Sequence, residues 1–253
     1  MRFCLLPVCM LVAVLLVHSA RAADATWVSF RDGAESIRAL IALPSGPEPH
    51  AAVIYNHGRI VRVQGHEAAS NQGYDTEGYV EALADAGYIA IAPIRDHLAT
   101  ADVRSAVAGG SETLLATIDY LKRRPDVDAT RIGAVGFSEG GLVTLWSAIS
   151  GADLTAMVLM SPAAMEAAGD RNLEAAVQED ALQSLAMPVM LTVGAQDFPS
   201  IRTLTESKLI PGMQRLGKRF SHKTDYPGDH RWFWLVRPDH FEDVRAFLAE
   251  HLM

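Results

Sequence analysis

Short runs of apolar residues alternate along this chain with longer stretches in which apolar residues recur every three or four positions. The first two apolar segments, residues 26–30 and 37–43, alternate with polar positions on either side of Asp32 and Gly33, a pattern typical of a β-hairpin. Later runs are short and mostly unbroken, which favours strands buried on both faces; they cover residues 51–56, 88–93, 132–137, 157–160 and 189–193, with a more polar strand predicted at 219–225.

Helical spacing fills the intervals between these strands. Residues 76–86 and 103–124 place apolar side chains on one stripe, and a glycine and a proline follow them where the helices should end. Another helix follows the strand at 132–137 without a loop, and the last helix covers 241–251. This alternation predicts an α/β fold with a mostly parallel central sheet, helices on both faces, and functional groups at the carboxyl ends of the strands.

The N-terminal segment has the pattern of an export signal. Arg2 gives a positive start, residues 5–17 are almost entirely apolar, and residues 20–22 (Ala-Arg-Ala) place small side chains where a signal peptidase cleaves. The apolar run is shorter than the ~20 residues of a membrane-spanning helix. We therefore expect a signal peptide at 1–22, a single domain over 23–253, and a periplasmic or extracellular protein without a stable membrane anchor after cleavage.

Composition narrows the function further. Apolar residues make up 49% of the chain and charged residues 21%, with a net charge of −8, so a disordered protein and a highly basic nucleic-acid-binding protein are both excluded. Both cysteines, Cys4 and Cys9, lie in the predicted signal peptide, so we expect no disulfide, cysteine nucleophile or thiolate metal site. His66 and Glu67 have no second pair of ligands at suitable spacing, and we expect neither a metal nor a cofactor.

One motif carries recognisable chemistry. Residues 136–141, Gly-Phe-Ser-Glu-Gly-Gly, fit the pattern G-x-S-x-G and stand between an apolar strand and an apolar helix, the context in which this motif presents a nucleophile. Ser138 would lie on a sharp turn, and the first N–H groups of the following helix would face negative charge that forms beside it. A glycine-rich strand-to-helix turn with a capping serine is the alternative interpretation.

A nucleophilic serine needs a general base, and the base needs an acid that orients it. Asp197 follows the strand at 189–193 and His230 follows the strand at 219–225, so both would lie at the same edge of the sheet as Ser138. Their order along the chain, acid and then histidine, is the one that follows a G-x-S-x-G serine. Two acids near His230 in sequence, Asp225 and Asp229, are alternatives to Asp197. Asp229 is better suited to hydrogen bonds within its own loop.

The other histidines considered for the base fit that role less well. His57 precedes the serine and ends a strand, which favours a role in a turn, and His222 lies within a strand. His240 and His251, at the start and end of the last helix, suit its solvated face.

Stretches that match a known group of enzymes are spread over the whole predicted domain, at residues 55–58, 86–88, 126–133, 136–141, 193–197 and 227–230. On these residues the chain resembles the α/β-hydrolases, and among them the dienelactone hydrolase-like and prolyl-oligopeptidase-type catalytic domains. The resemblance implies an α/β-hydrolase fold with a minimal cap. It also implies Ser138 as nucleophile, Asp197 as acid and His230 as base.

The same resemblance implies an oxyanion hole made of two backbone N–H groups. One belongs to Glu139, the residue after the nucleophile. The other comes from the turn after the third strand, where we expect Arg59, with Gly58 or Ile60 as alternatives. Typical dienelactone hydrolases have a cysteine where this chain has Ser138, so a lactone substrate does not follow from the resemblance.

The segments around the predicted site indicate an open or lightly covered pocket. A charged helix predicted at 173–185 is too short for a large cap. Residues 60–75 form a long polar connection, which fits either a substrate-binding loop or a solvated surface, and Tyr74 within it is a candidate for substrate contact. Trp232 follows the predicted base and is a second candidate, with packing against the last helix as the alternative.

Three functions are compatible with these features. The first is a serine esterase that cleaves a small-molecule carboxylic ester through an acyl-enzyme. The second, a serine peptidase or an acyltransferase, keeps the acyl-enzyme and changes the partner. The third, a non-catalytic binding protein on the same scaffold, is disfavoured because all three residues of the catalytic set are present. The sequence does not specify the oligomeric state.

Overall fold

The computed structural model describes residues 24–33, 35–163 and 179–253, which form an open sheet of eight strands in the order β1-β2-β4-β3-β5-β6-β7-β8. The strands are Thr26–Asp32 (β1), Glu35–Ala42 (β2), His50–Asn56 (β3), Ile89–Pro93 (β4), Val127–Phe137 (β5), Ala156–Met160 (β6), Val189–Gly194 (β7) and Phe220–Tyr226 (β8). The β1-β2 hairpin is antiparallel, as is the pairing of β2 with β4, and the remaining pairs are parallel. The predicted mostly parallel α/β sheet is confirmed.

Strand β3 shows why both faces of the sheet need cover. Val53 and Tyr55 belong to one apolar cluster, whereas Ala52 and Ile54 belong to another. Successive side chains of a strand point to opposite faces, so a strand that is apolar at every position is stable only between two layers.

Helices supply those two layers. They are Arg59–Gln64 (α1), His66–Ser70 (α2), Thr76–Asp85 (α3), Val103–Lys122 (α4) and Glu139–Ile149 (α5), followed by Glu179–Leu182, Pro199–Arg202, Ile210–Arg215 and Pro238–Leu252, with a π-helical stretch at Thr203–Leu209 and 3₁₀ turns at Asp96–Leu98 and His230–Trp234. Apolar residues of α3 and of the C-terminal helix join the cluster of Val53 and Tyr55. Apolar residues of α4 and α5 pack on the opposite face.

Some of the predicted elements differ from the structure. Residues 60–75, predicted as a connection, contain the helices α1 and α2, which are too short to show a helical period in sequence. Of the helix predicted at 173–185, residues 173–178 lie outside the described residues, and Glu179–Leu182 is helical. The predicted signal peptide also lies outside them. Within the described part of the chain, no helix is long and apolar enough to cross a membrane.

The order of the strands places the predicted site residues at one edge of the sheet. β5 lies in the interior, between β3 and β6, while β7 and β8 follow on one side. Because these strands are parallel, their carboxyl ends point the same way. Ser138, Asp197 and His230 each follow one of these ends, so the three are gathered from segments far apart in sequence.

Candidate active site

Ser138 occupies a tight turn between β5 and α5. Its backbone has φ 54° and ψ −120°, a conformation that is rare for a residue with a side chain and that projects it away from the sheet. The turn is crowded: a Cβ on Gly140 would lie 2.0 Å from the carbonyl oxygen of Asn56, and one on Gly136 would lie 2.5 Å from that of Gly140. The glycines of the motif are therefore required by close backbone approach.

The side chains of Ser138, His230 and Asp197 form a continuous chain of hydrogen bonds. Ser138 Oγ lies 2.8 Å from His230 Nε2, and His230 Nδ1 lies 3.0 Å from Asp197 Oδ1. An ionised carboxylate only accepts hydrogen bonds, so Nδ1 donates to Asp197 and leaves Nε2 to accept from the Ser138 hydroxyl. The structure thus brings together the three residues that the sequence singled out, in an arrangement suited to removing a proton from Ser138.

The carboxylate is fixed by its surroundings. The Asp197 side chain is fully buried, and its Oδ1 also accepts a hydrogen bond of 2.7 Å from the Phe198 backbone N–H. The end of β7 and the loop after β8 are in close contact: a Cβ on Gly194 would lie 2.3 Å from the Gly228 carbonyl oxygen, and the Gln196 N–H donates to that oxygen at 3.0 Å. The segments that carry the acid and the histidine are therefore joined directly.

The His230 ring contacts two aromatic rings. The centroid of the buried Phe137 ring lies 4.8 Å from that of His230, and the centroid of the Phe198 ring lies 5.1 Å from it. Phe198 is 57% exposed, so the ring beside His230 is open to solvent. Sequence reasoning missed this residue; the only signal was an apolar side chain directly after the acid.

The Asp229 carboxylate holds the loop that carries His230. Its Oδ1 accepts hydrogen bonds from the backbone N–H groups of Arg231 and Trp232, at 3.0 Å and 3.1 Å. The prediction that Asp229 forms hydrogen bonds within its own loop is confirmed.

Two helices begin beside Ser138, and each has backbone N–H donors in its first turn that its own helix cannot use. Arg59 is the first residue of α1 and Glu139 is the first residue of α5, positions where an N–H has no partner within its own helix. The turn before α1 borders the serine, since a Cβ on Gly58 would lie 3.6 Å from Ser138 Cβ. The Gly58 N–H, however, donates to the Tyr74 hydroxyl at 2.8 Å. This bond removes Gly58 from the candidate oxyanion donors and favours Arg59.

Tyr74 and Trp232 are the two residues predicted to contact substrate, and the structure places them differently. Tyr74 is 1% exposed, and its hydroxyl bonds to the Gly58 N–H and to the Tyr55 hydroxyl, so it supports the turn from below. Trp232 packs against the core and stacks on Tyr226 with centroids 5.6 Å apart. Burial argues against direct contact of Tyr74 with a substrate. Trp232 is only partly buried, so its packing is observed while its contact with a substrate stays a prediction.

Two of the histidines that were considered less suitable as the base, His57 and His240, are buried and make hydrogen bonds inside the fold. His57 is buried beneath the turn, where its Nε2 accepts a 3.1 Å hydrogen bond from the Arg95 backbone N–H, as expected for a role in a turn. Burial keeps the pKa of His57 well below its ordinary value. His240 corrects the prediction of a solvated histidine: it is buried, with Nε2 3.2 Å from Thr192 Oγ1 and its ring 4.9 Å from that of Tyr226.

The described residues contain no group of three histidine, cysteine, aspartate or glutamate side chains placed to hold a metal ion. A cleft of about 840 Å³ lies at the other end of α1, lined by Gln64, His66, Trp27 and Arg38 among others. None of Ser138, Asp197 and His230 lines it.

Two comparisons of the sequence with known proteins find hydrolases. The sequence model of the dienelactone hydrolase family matches residues 37–215. Dipeptidyl-peptidase 5 of Porphyromonas gingivalis is 28% identical over 136 residues, which span 50% of this chain and 19% of that protein.

Solved structures share the fold at low sequence identity. A dipeptidyl peptidase 4 from Porphyromonas gingivalis aligns with a TM-score of 0.71 and 18% identity, over 92% of this chain and 36% of its own. A protein from Klebsiella pneumoniae that is described as a dienelactone hydrolase aligns with a TM-score of 0.68 and 19% identity, over 90% of this chain and 98% of its own. The chain thus spans about a third of the first structure and nearly all of the second.

Proposed function

Because this chain belongs to the dienelactone hydrolase family, we propose that it is a serine hydrolase that cleaves a carboxylic ester of a small substrate through an acyl-enzyme on Ser138. The observation that carries the proposal is the unbroken chain of hydrogen bonds from Ser138 through His230 to Asp197. A hydroxyl is a weak nucleophile at neutral pH, and this arrangement supplies both the base and the group that orients it.

The proposed reaction begins with attack of Ser138 Oγ on the ester carbonyl carbon while His230 Nε2 takes the hydroxyl proton. The carbonyl electrons move onto oxygen, and the tetrahedral intermediate collapses by expelling the alcohol, which receives the proton from His230. Water then attacks the acyl-enzyme in the same way, releases the acid and restores Ser138. Asp197 holds the imidazole in the required tautomer and stabilises its charged form.

The negative oxygen of the intermediate would be stabilised by the Glu139 and Arg59 N–H groups. Each donor of this kind contributes ~3 kcal/mol to the transition state in other acyl-transfer enzymes. The donors are ready before the substrate arrives, because each belongs to the first residue of a helix. The positive ends of the two helix dipoles act in the same direction.

The experiment that tests this function is labelling by a fluorophosphonate probe, paired with hydrolysis of p-nitrophenyl acetate. Ser138→Ala should abolish both labelling and turnover while the circular dichroism spectrum stays unchanged. Ser29→Ala, at an exposed serine of β1, is the control and should behave as the unchanged protein. Full turnover by Ser138→Ala, or an unlabelled Ser138 in the unchanged protein, would refute the proposal.

A peptidase is the second candidate, favoured by the peptidases among the relatives named above. Amide hydrolysis would use the same nucleophile and base, with His230 protonating an amine as it leaves. Steady-state rates on a panel of short acyl esters, lactones and aminoacyl amides separate the two activities. A larger kcat/KM for the amides would establish the peptidase and displace the esterase; transfer of the acyl group to added alcohols would indicate an acyltransferase.

We also propose that the protein is exported. The apolar N-terminal segment and the small residues at 20–22 support this placement. Cell fractionation followed by intact-mass measurement should find a mature chain that begins at Ala23. A full-length chain in the cytoplasmic fraction would contradict it.

A further inference from the structure

Arg62 and Glu139 form a buried ion pair next to the candidate site. Arg62 Nε lies 2.7 Å from Glu139 Oε1, and Arg62 Nη2 lies 2.9 Å from Oε2, so the guanidinium meets the carboxylate in two parallel hydrogen bonds. The residues are 1% and 3% exposed. The remaining nitrogen, Nη1, donates to the Leu98 carbonyl oxygen at 2.7 Å. Charges at this depth are costly to desolvate, and an apolar pair is often as stable, so stability alone is a weak reason for the pair.

The position of this pair in the fold is informative. Arg62 lies one helical turn after Arg59, the first residue of α1, and Glu139 is the first residue of α5. The ion pair therefore joins the first turns of two helices that come from different strands. These are the two helices that begin beside Ser138 and carry the proposed oxyanion donors.

A second guanidinium completes the cluster. Arg95 is fully buried, with Nη1 4.0 Å from Glu139 Oε1 and Nη2 donating to the His57 carbonyl oxygen. Its Nε and Nη1 have no hydrogen-bond partner among the described residues. Burial, and next the Arg95 charge, keep the pKa of His57 well below its ordinary value, so this imidazole is neutral. Arginine stays protonated in proteins, and the cluster thus holds two cations and one anion.

We propose that Arg62 and the Glu139 side chain are positioning residues that hold the Arg59 and Glu139 N–H groups at the spacing an oxyanion requires, and that Arg95 adds a fixed positive charge beneath it. The inference rests on the proposed serine hydrolase function. The ester carbonyl is nearly neutral before attack and becomes an anion afterwards. A rigid pair of donors and a buried cation therefore act on the transition state more than on the bound substrate.

The test compares the same substitution at two arginines. Arg62→Lys keeps the charge and removes the paired hydrogen bonds. Arg124→Lys is the matched control, because Arg124 makes the same two-bond contact with Asp126, at 2.9 Å and 2.6 Å, and is not part of the proposed site. With p-nitrophenyl acetate, Arg62→Lys should lower kcat at least about tenfold and change KM by less than about threefold. Arg124→Lys should leave both constants unchanged.

A tetrahedral adduct gives a readout that a purely structural role would not move. Ethyl trifluoromethyl ketone is attacked by an active serine and then carries an oxyanion in the same place as the proposed intermediate. Its inhibition constant should rise in Arg62→Lys by a factor close to the loss in kcat/KM. An unchanged inhibition constant and an unchanged kcat in a folded Arg62→Lys protein would overturn the proposal.

A second variant covers the case in which Arg62→Lys fails to fold. The variant Arg62→Met removes one cation and leaves Glu139 beside the Arg95 guanidinium, 4.0 Å away, so neither remaining charge is buried alone. It should show the same loss of kcat and of ketone affinity. If both variants fail to fold while Arg124→Lys folds, the pair is structural and the proposal is rejected. Failure of the proposed function itself is recognised separately, because the unchanged protein would then neither hydrolyse the ester nor react with the probe.

Discussion

The Tyr74 hydroxyl accepts a 2.8 Å hydrogen bond from the Gly58 backbone N–H and lies 3.0 Å from the Tyr55 hydroxyl. Burial raises the pKa of Tyr74 to about 12, so the phenol stays protonated and hydrogen-bonded at neutral pH. The turn after β3 is thereby fixed by a side chain from sixteen residues further along. One N–H of this turn is therefore used inside the fold, which supports the N–H of Arg59 as the proposed oxyanion donor.

Tyr74→Phe removes this support from the turn. The Gly58 N–H would be left buried without a partner, which costs about 1–3 kcal/mol in the free energy of unfolding. The Arg59 donor would also lose its fixed position, so kcat should fall more than KM rises. Urea unfolding and steady-state kinetics measure the two effects. Tyr88→Phe is the control, since the buried Tyr88 hydroxyl has no partner among the described residues and should not be missed.

Asp197→Asn should leave the fold intact and nearly abolish activity. An asparagine amide at this place can donate to His230 Nδ1, which favours the tautomer that cannot accept the Ser138 proton. The same substitution in chymotrypsin-like proteases lowers kcat about 10⁴-fold. Asp229→Asn, one residue before His230, keeps an oxygen acceptor for the Arg231 and Trp232 N–H groups and should retain most of the activity. Equal losses in both variants would argue against an orienting role for Asp197.

Phe198→Ala tests whether this exposed ring contacts the substrate. The ring stands beside His230 and is more than half exposed, so its removal should change the melting temperature little. It should raise KM for p-nitrophenyl butyrate more than for the acetate, because a longer acyl chain has more apolar surface to bury. Leu115→Ala, at a 44% exposed leucine on α4, is the control for loss of exposed apolar surface. An equal change in KM for both esters in Phe198→Ala would show that the ring does not contact the acyl chain.

Acid should destabilise the fold through its buried histidines. Burial lowers the pKa of His240 to about 3; the Asp243 charge raises it and the Lys223 charge lowers it, both by smaller amounts. An unfolded histidine titrates near 6.5. Below that value the unfolded chain binds a proton that the folded chain does not, so the free energy of unfolding falls as pH falls, by at most about 1.4 kcal/mol per pH unit for each such group. His57 acts in the same direction.

Urea unfolding at pH 7 and pH 5 measures this dependence. His240→Phe keeps a ring against Tyr226 and Phe233 and removes the titrating group. The variant should therefore lose less stability between the two pH values than the unchanged protein. An equal loss would mean that His240 is not responsible.

The sequence predicted the parts of the molecule in which local pattern and fold agree. The apolar run before Ser138 is long enough to be a strand, and the glycines around it are required by close contact with other backbone segments. Asp197 and His230 could be located because each follows a strand, and parallel strands end at a common edge. The geometry between these residues could not be inferred from spacing, since it depends on contacts such as that of Gly194 with Gly228.

Buried charge is the part that the sequence concealed. Arginine and glutamate are residue types that a sequence pattern assigns to the surface, which is why the burial of Arg62, Arg95 and Glu139 was not foreseen. The two members of the ion pair are also 77 positions apart. His240 was placed at the surface because it follows a proline and an aspartate at the start of a helix, yet its ring faces inward to Thr192 and Tyr226. In each case the deciding partner belongs to a distant segment, which the pattern around the residue does not reveal.

The position of β8 at the edge of the sheet bears on how the protein would lose activity on heating. Within the described sheet, β8 pairs with β7 alone, most of its residues are partly or fully exposed, and His230 follows it. Outer strands open at lower free energy than interior ones. The proposed base therefore follows a strand at the edge of the sheet, while the proposed nucleophile follows an interior strand. The half-life at elevated temperature would be set by the opening of this edge strand. Substitutions that strengthen the pairing of β7 with β8 would lengthen it.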